Sequence, residues 1–333
     1  MRSFFDPRQC QHAPALELHN GAFVRHAETP ERAEAILRAI GGAEAAVDHN
    51  EVPLAAVHTA EYLAFLKTAY ADWIAAGREG DAIGYAFPVV ARRSARLSRI
   101  DARLGRFSMD TCTPISQGSW EAAYWGAQTA LTAADAVLGG EQAAFALCRP
   151  PGHHCGGDYT GGYCFLNNAA IAAQAACATG RRVAILDIDY HHGNGTQDIF
   201  YKRGDVLFVS IHADPATDYP FFWGHADEGG EGEGEGATFN LPLPRGSDVS
   251  AYGAALETGL DRIRDWGADL LVCSFGADTF RGDPISHFQL DTADYQRLAV
   301  RIAALGLPCV IVMEGGYAVD SLGDNVSSFL SGF

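Results

Sequence analysis

The sequence predicts an α/β fold: a single domain with a mostly parallel central sheet, helices on both faces, and a site at the C-terminal strand ends. Three observations predict it. Short apolar runs recur along the chain, amphipathic stretches separate them, and polar clusters follow the runs at their C-terminal ends.

The runs are AFALC (144–148), VAILDI (183–188), VLFVSI (206–211), DLLVCSF (269–275) and CVIVMEGG (309–316). They are rich in Val, Ile, Leu and Phe with little polar alternation, which reads as strands buried on both faces. Stretches around 167–179, 250–266 and 291–305 carry helical spacing between them. Strands alternating with helices imply βαβ units.

The first half reads as more helical. Thr29-Pro30-Glu31 opens a helix running to Gly41, with a capping residue, a proline at the first turn and an acid beside it. Residues 59–76 and 119–138 also space Leu, Ala and aromatics helically. Residues 77–118 mix Gly, Pro and arginines without period, and read as an insert loop at the site entrance or a dimer contact. The Glu-Gly tract at 228–236 reads as a flexible acidic loop whose spacing fits no calcium loop. No linker divides the chain, so 1–333 is expected to be one catalytic domain.

Charge narrows the partners. The formal net charge of -17 argues against nucleic acid or an anionic membrane as partner, since both need a basic face; an acidic surface either attracts small cations or serves solubility. The start, MRSFFDPRQ, has no apolar core of signal-peptide length, so a soluble, cytoplasmic protein is expected. The 8 cysteines are scattered, and Cys148, Cys273 and Cys309 sit inside apolar runs as reduced, buried thiols.

The chemistry gathers at the strand ends. Arg149-Pro150-Pro151-Gly152-His153-His154 follows one run, and Asp189 to Gly195 follows the next. Gly276-Ala277-Asp278-Thr279 and Glu314-Gly315-Gly316-Tyr317 follow two more. In an open parallel sheet, ligands bind at that edge. Asp187, Asp189 and His191 are spaced by two, which on a strand sets them on one face. Two carboxylates and an imidazole suit zinc or ferrous iron with positions left open for water and substrate. Asp278 can complete the set, with Asp283 as its competitor.

The tandem His153-His154 in a glycine-rich turn favours acid–base work. Asp187 and Asn194 are the partners that would fix the two rings, and the ring facing the neutral Asn194 is the better base. Tyr317 lies in a Gly-Gly-Tyr turn, where the glycines let the backbone bring the phenol close to substrate, and its hydroxyl could hydrogen-bond a developing oxyanion.

These motifs resemble the arginase/deacetylase superfamily, specifically the histone deacetylase-like amidohydrolases. RPPGHH (149–154), GGYCFLNN (161–168), ILDIDYHHGNGTQDIF (185–200), GADTFRGDP (276–284) and MEGGY (313–317) occur in family order. PERAEAIL (30–37), the 73–90 segment and SWEAA (119–123) look like acetylpolyamine amidohydrolases, so the resemblance covers nearly the whole chain.

The resemblance implies an arginase/deacetylase-like fold and metal-dependent hydrolysis of acetyl amides, with zinc (or ferrous iron) on Asp189, His191 and Asp278. It implies His154 as general base and acid, His153 as an electrostatic partner paired with Asp187, and Tyr317 polarising the acetyl carbonyl. Gly162, Tyr163, Tyr219 and Ile285 would line the substrate tunnel, with Glu17 and Asp101 as acids at its mouth. It also implies a structural potassium on main-chain oxygens of Asp187, Asp189, His191, Ser210 and Ile211. Cys155 stands where the family has a small alanine, and Asn194 where some protein deacetylases have aspartate. The substrate expected is a small cationic acetylated polyamine or diamine, and the assembly a homodimer. A protein acetyl-lysine deacetylase is the alternative. A silent acetyl-ligand-binding protein would have lost a His, Tyr or ligand residue, and an arginase-like ureohydrolase would lack the tandem His and Gly-Gly-Tyr.

Overall fold

The computed structural model describes residues 1–88 and 97–333. The chain opens on strand β1 (Arg2–Phe4) and an antiparallel hairpin, β2 (Leu16–His19) with β3 (Ala22–Arg25). A helical layer follows: α1 (Pro30–Ile40), α2 (Val52–Ala55), α3 (Ala60–Ala75), α4 (Ile100–Arg106) and α5 (Ser119–Leu138). Strands and helices then alternate. They are β4 (Ala143–Ala146), α6 (Asn168–Cys177), β5 (Val183–Asp187), α7 (Asn194–Phe200) and β6 (Val206–Ala213). After these come β7 (Thr238–Leu243), α8 (Val249–Trp266), β8 (Leu270–Phe275), α9 (Thr292–Ala303), β9 (Cys309–Met313) and α10 (Val319–Leu330).

One seven-stranded sheet runs in the order β1-β4-β9-β8-β5-β6-β7, and every pairing in it is parallel. Period-2 side chains divide between its two faces. Ala184, Leu186, Leu207 and Val209 pack with α1, α8, α9 and α10. Val183, Ile185, Val206 and Phe208 pack with α5 and α6. The expected α/β architecture with helices on both faces is what the fold shows.

The strand order reverses beside β5: the chain steps outward through β6 and β7, then returns to β8 and β9 on the other side. The crevice between the loops after β5 and β8 is therefore where a ligand site is expected.

Several elements escape the sequence reading. β7 is an edge strand with half-buried residues and Pro242, so it lacks the continuous apolar run. α10 is rich in Ser, Asp and Gly, but Gly323 is needed there. A Cβ at Gly323 would lie 2.6 Å from the Ala35 carbonyl of α1. The segment 77–118, read as loop, contains α4 and a bridge between Ala82 and Ile115; its residues 89–96 lie outside the described residues. The acidic tract at 228–236 is not simply a loose loop. It holds a short helical turn, Gly232–Gly234, and Glu228 accepts from Gln197 Nε2 at 2.6 Å and Gly224 N at 2.9 Å. All eight cysteines are free, and no helix among the described residues is long and apolar enough to cross a membrane.

Candidate active site

β5 ends at Asp187, whose register partners are Ser210 on β6 and Ser274 on β8. Beyond it the backbone leaves the extended path through two successive side-chain turns. Asp189 N donates to Asp187 Oδ1 at 3.1 Å, and His191 N donates to Asp189 Oδ1 at 2.8 Å. The expected common face is therefore a correction: Asp189 and His191 converge, while Asp187 turns away to His153 Nδ1 at 3.0 Å.

The loop after β8 completes the cluster. One donor atom each from Asp189, His191 and Asp278 lies within 4.8 Å of the others. His191 Nδ1 faces Asp278 Oδ2 at 3.1 Å and Asp189 Oδ1 at 3.4 Å. Each carboxylate is braced by backbone: Gly315 N donates to Asp189 Oδ2 at 2.8 Å, and Tyr190 N to Asp278 Oδ1 at 2.9 Å. Glycine is required around them. A Cβ at Gly276 would lie 2.0 Å from Asp189 Oδ2, and one at Gly315 2.6 Å from the same atom. Burial and the Asp189 charge push Asp278 up to about 7, while Asp189, despite burial, is held well below the carboxylate range by His153 and His191. Two buried carboxylates converging with an imidazole fit a zinc-class cation. Asp283, the competitor for the third place, is elsewhere: its carboxylate accepts Tyr317 N at 2.7 Å and Ala318 N at 3.2 Å.

The two histidines of the Pro-Pro-Gly turn stand side by side, with ring centroids 4.0 Å apart. Glu314 holds the turn, accepting Gly152 N at 2.6 Å and His153 N at 3.1 Å, while its other oxygen takes the Ser274 hydroxyl at 2.8 Å. Burial pushes Glu314 up to about 7.

Their environments differ. Burial opposes charge on His153, but Asp187 and Asp189 outweigh it and raise the imidazole to about 10. His154 meets the Asn194 side-chain oxygen at 2.7 Å. Burial, the charged His153 and His191 hold it well below the ordinary histidine value. With Nδ1–H donated to Asn194, Nε2 is left with a lone pair. Gly162 backs this ring, since a Cβ there would lie 2.1 Å from His154 Cδ2.

Tyr317 closes the group. Its ring lies 5.6 Å from that of Tyr163 and 4.8 Å under the Arg32 guanidinium, and its hydroxyl has no hydrogen-bond partner among the described residues. Arg32 pins the turn through Gly316 O and Glu314 O, both at 2.6 Å. Tyr219 packs edge-on to His154 at 5.0 Å, and its hydroxyl donates to Asp110 Oδ2 at 2.8 Å. The same Asp110 oxygen accepts Gly162 N at 2.7 Å.

The remaining sequence candidates scatter. Glu17 is buried, accepting from the Tyr163 hydroxyl at 3.1 Å and facing His26 Nδ1 at 2.9 Å. Ile285 is part-exposed beside Asp283. Asp101 is not brought to the cluster: it sits on α4, bonded to Arg78 at 2.8 Å and Arg99 at 2.7 Å. Cys155 packs away from the site against the Phe165 carbonyl at 3.0 Å and the Tyr62 hydroxyl at 3.5 Å. Ser210 and Ile211 lie on buried β6, beside the loop that carries Asp189. Among the described residues neither the Asp189 nor the His191 carbonyl accepts a hydrogen bond. Asp110, Glu314, Asp283 and Arg32 are the positioning residues that sequence reasoning assigned no such role.

Residues 26–333 match the histone deacetylase domain. The chain belongs to that family. It is 50% identical to acetylpolyamine amidohydrolase 1 of Pseudomonas aeruginosa, over 100% of this chain and 99% of that one. Against the acetylpolyamine amidohydrolase of Mycoplana ramosa it is 47% identical, over 100% and 99%. The crystal structure of an acetylpolyamine aminohydrolase from Burkholderia pseudomallei superposes with a TM-score of 0.96 at 44% identity, covering 100% of this chain and 98% of that one. The histone deacetylase-like family and its acetylpolyamine branch are thus those the sequence motifs resemble.

Proposed function

We propose that the chain hydrolyses the acetyl amide of acetylated polyamines or diamines, releasing the free amine and acetate. The observation that carries the reading is the convergence of Asp189, His191 and Asp278 with two histidines of opposite protonation preference. Full-length likeness to several proteins named acetylpolyamine amidohydrolase supports the substrate class. So do the acidic balance of the chain and the carboxylates of Glu17 and Asp110 behind Tyr163 and Tyr219.

Asp189, His191 and Asp278 would hold zinc, with ferrous iron as the alternative. When bound, such an ion supplies Lewis-acid stabilisation of negative charge on the acetyl oxygen. His154, held by Asn194, takes the proton of the attacking water at Nε2 and returns it to the leaving amine. His153, kept charged by Asp187, adds positive potential beside it. The Tyr317 hydroxyl donates a hydrogen bond to the developing oxyanion. Gly162, Tyr163, Tyr219 and Ile285 would flank the methylene chain of the substrate.

A structural potassium is part of the same reading, on main-chain oxygens of Asp187, Asp189, His191, Ser210 and Ile211; the unpartnered carbonyls of Asp189 and His191 support it. A cytoplasmic homodimer using 77–118 completes it, supported by the exposed Tyr85 and Phe87 and tested by sedimentation, where a monomer at working concentration removes it. Turnover of acetylputrescine, acetylspermidine and an acetyl-lysine peptide by the metal-loaded protein tests the substrate. Equal or better hydrolysis of the peptide overturns it in favour of a protein deacetylase.

A further inference from the structure

A second group of metal-type donors lies apart from the cluster just described. His12 ends the short helical turn Pro7–Gln11, His26 follows β3, and Glu28 precedes α1. All three are buried, and one donor atom from each lies within 4.8 Å of the other two. His12 Nε2, His26 Nε2 and Glu28 Oε2 are each buried without a hydrogen-bond partner among the described residues. An unmade bond on one such atom costs about 1–3 kcal/mol. Three unpartnered atoms on three residues whose metal-type donors converge call for a shared occupant.

The far side of each group is already committed. His26 Nδ1 faces Glu17 Oε2 at 2.9 Å, so the proton sits there and Nε2 carries a lone pair. His12 Nδ1 meets the Ser119 hydroxyl at 2.8 Å. Glu28 Oε1 takes Arg32 Nη1 at 2.7 Å and Arg149 Nε at 2.9 Å, leaving Oε2 free. An imidazole oriented by a carboxylate or hydroxyl on its other nitrogen is how proteins present histidine to a metal.

We propose that His12, His26 and Glu28 form a second cation site, selective for a zinc-class divalent ion. Two imidazoles and one carboxylate select that class over calcium or magnesium, which prefer all-oxygen shells. The two guanidiniums on Glu28 make the site weaker than one with two carboxylates, so it fills after the Asp189 centre. Its role is structural. It ties the N-terminal segment to α5 through Ser119, and to the Tyr317 turn through Arg32. The competing occupant is a buried water that accepts from His12 and donates to His26 and Glu28.

Metal content and anomalous diffraction separate the two. Protein loaded with excess zinc and desalted should carry two ions per chain, falling to one in Asp278→Asn and to one in His12→Gln. Crystals of the unmodified chain soaked in zinc should show an anomalous peak among His12 Nε2, His26 Nε2 and Glu28 Oε2. One ion per chain in the unmodified protein, with an anomalous peak at Asp189 alone and water density at His12, overturns the proposal. Should His12→Gln fail to fold, the anomalous map of the unmodified chain decides by itself.

Discussion

Asn194 accepts a hydrogen bond from His154 at 2.7 Å, where the neighbouring His153 meets a carboxylate at 3.0 Å. Two adjacent imidazoles thereby receive one neutral and one anionic partner. Asn194 is itself fixed, because its amide nitrogen reaches the Tyr159 hydroxyl at 3.2 Å and the His154 carbonyl at 3.4 Å. The difference between the rings is built by their partners, and it decides which can act as a base at neutral pH.

Replacing Asn194 with Asp should therefore shift the acid limb of the kcat/KM profile. A carboxylate favours the charged imidazole and raises the His154 pKa, by about 1–3 units. A base must be neutral to accept a proton, so the acid limb moves to higher pH by that amount. A pH–rate profile of Asn194→Asp against the parent checks this, and an unmoved limb removes His154 from the role.

Tyr317→Phe should lower kcat by about 10²–10³ by removing one oxyanion donor. Asp283 grips this residue by its backbone amide, so the turn should hold without the hydroxyl. Bound metal and circular dichroism should stay at parental levels. Near-normal turnover of an acetylated amine would sink the assignment.

Glu314 is the test of the scaffold. Glu314→Ala leaves the buried amides of Gly152 and His153 without an acceptor, at about 1–3 kcal/mol each. At roughly 2–4 °C per kcal/mol, the melting temperature should fall by about 4–24 °C. Glu314→Gln keeps an acceptor and should recover most of it. Burial raises the folded carboxyl from 4.5 to about 7, so its neutral form is favoured on folding. That contribution is full below the unfolded value and is lost as pH rises through about 7. Metal-depleted Glu314→Gln should accordingly lose less stability than the parent between pH 4.5 and 7.

Residues carried by strand ends were legible in the sequence, because a parallel sheet delivers consecutive loops to one edge. Of the residues read that way, Asp189, His191 and Asp278 converge, His153 and His154 stand side by side with the His154 ring 6.0 Å from that of His191, and Tyr317 packs against Tyr163. The parting of Asp187 from Asp189 was not legible, since spacing assumes an extended backbone and the side-chain turns break it. Arg32 was hidden for another reason. It lies 284 residues from the Gly316 carbonyl it holds, and nothing local marks it. Of the two expected mouth acids, Glu17 meets the Tyr163 hydroxyl, whereas Asp101 is spent on two arginines, and Asp110, nine residues on, holds Gly162 and Tyr219 instead.

Asp110 leads to the last prediction. One of its oxygens holds both the Gly162 amide and the Tyr219 hydroxyl, and the other accepts from Thr113 at 2.8 Å. Asp110→Ala frees two walls of the passage together, and KM for acetylspermidine should rise about tenfold, equivalent to ~1.4 kcal/mol. Asp110→Asn keeps an acceptor but removes the charge. If position alone matters, Asn restores the parental KM; if the charge also attracts the amine, Asn leaves KM raised, and more so for acetylspermidine than for acetylputrescine with its single cation. A parental KM in Asp110→Ala would show that neither contact orders the tunnel.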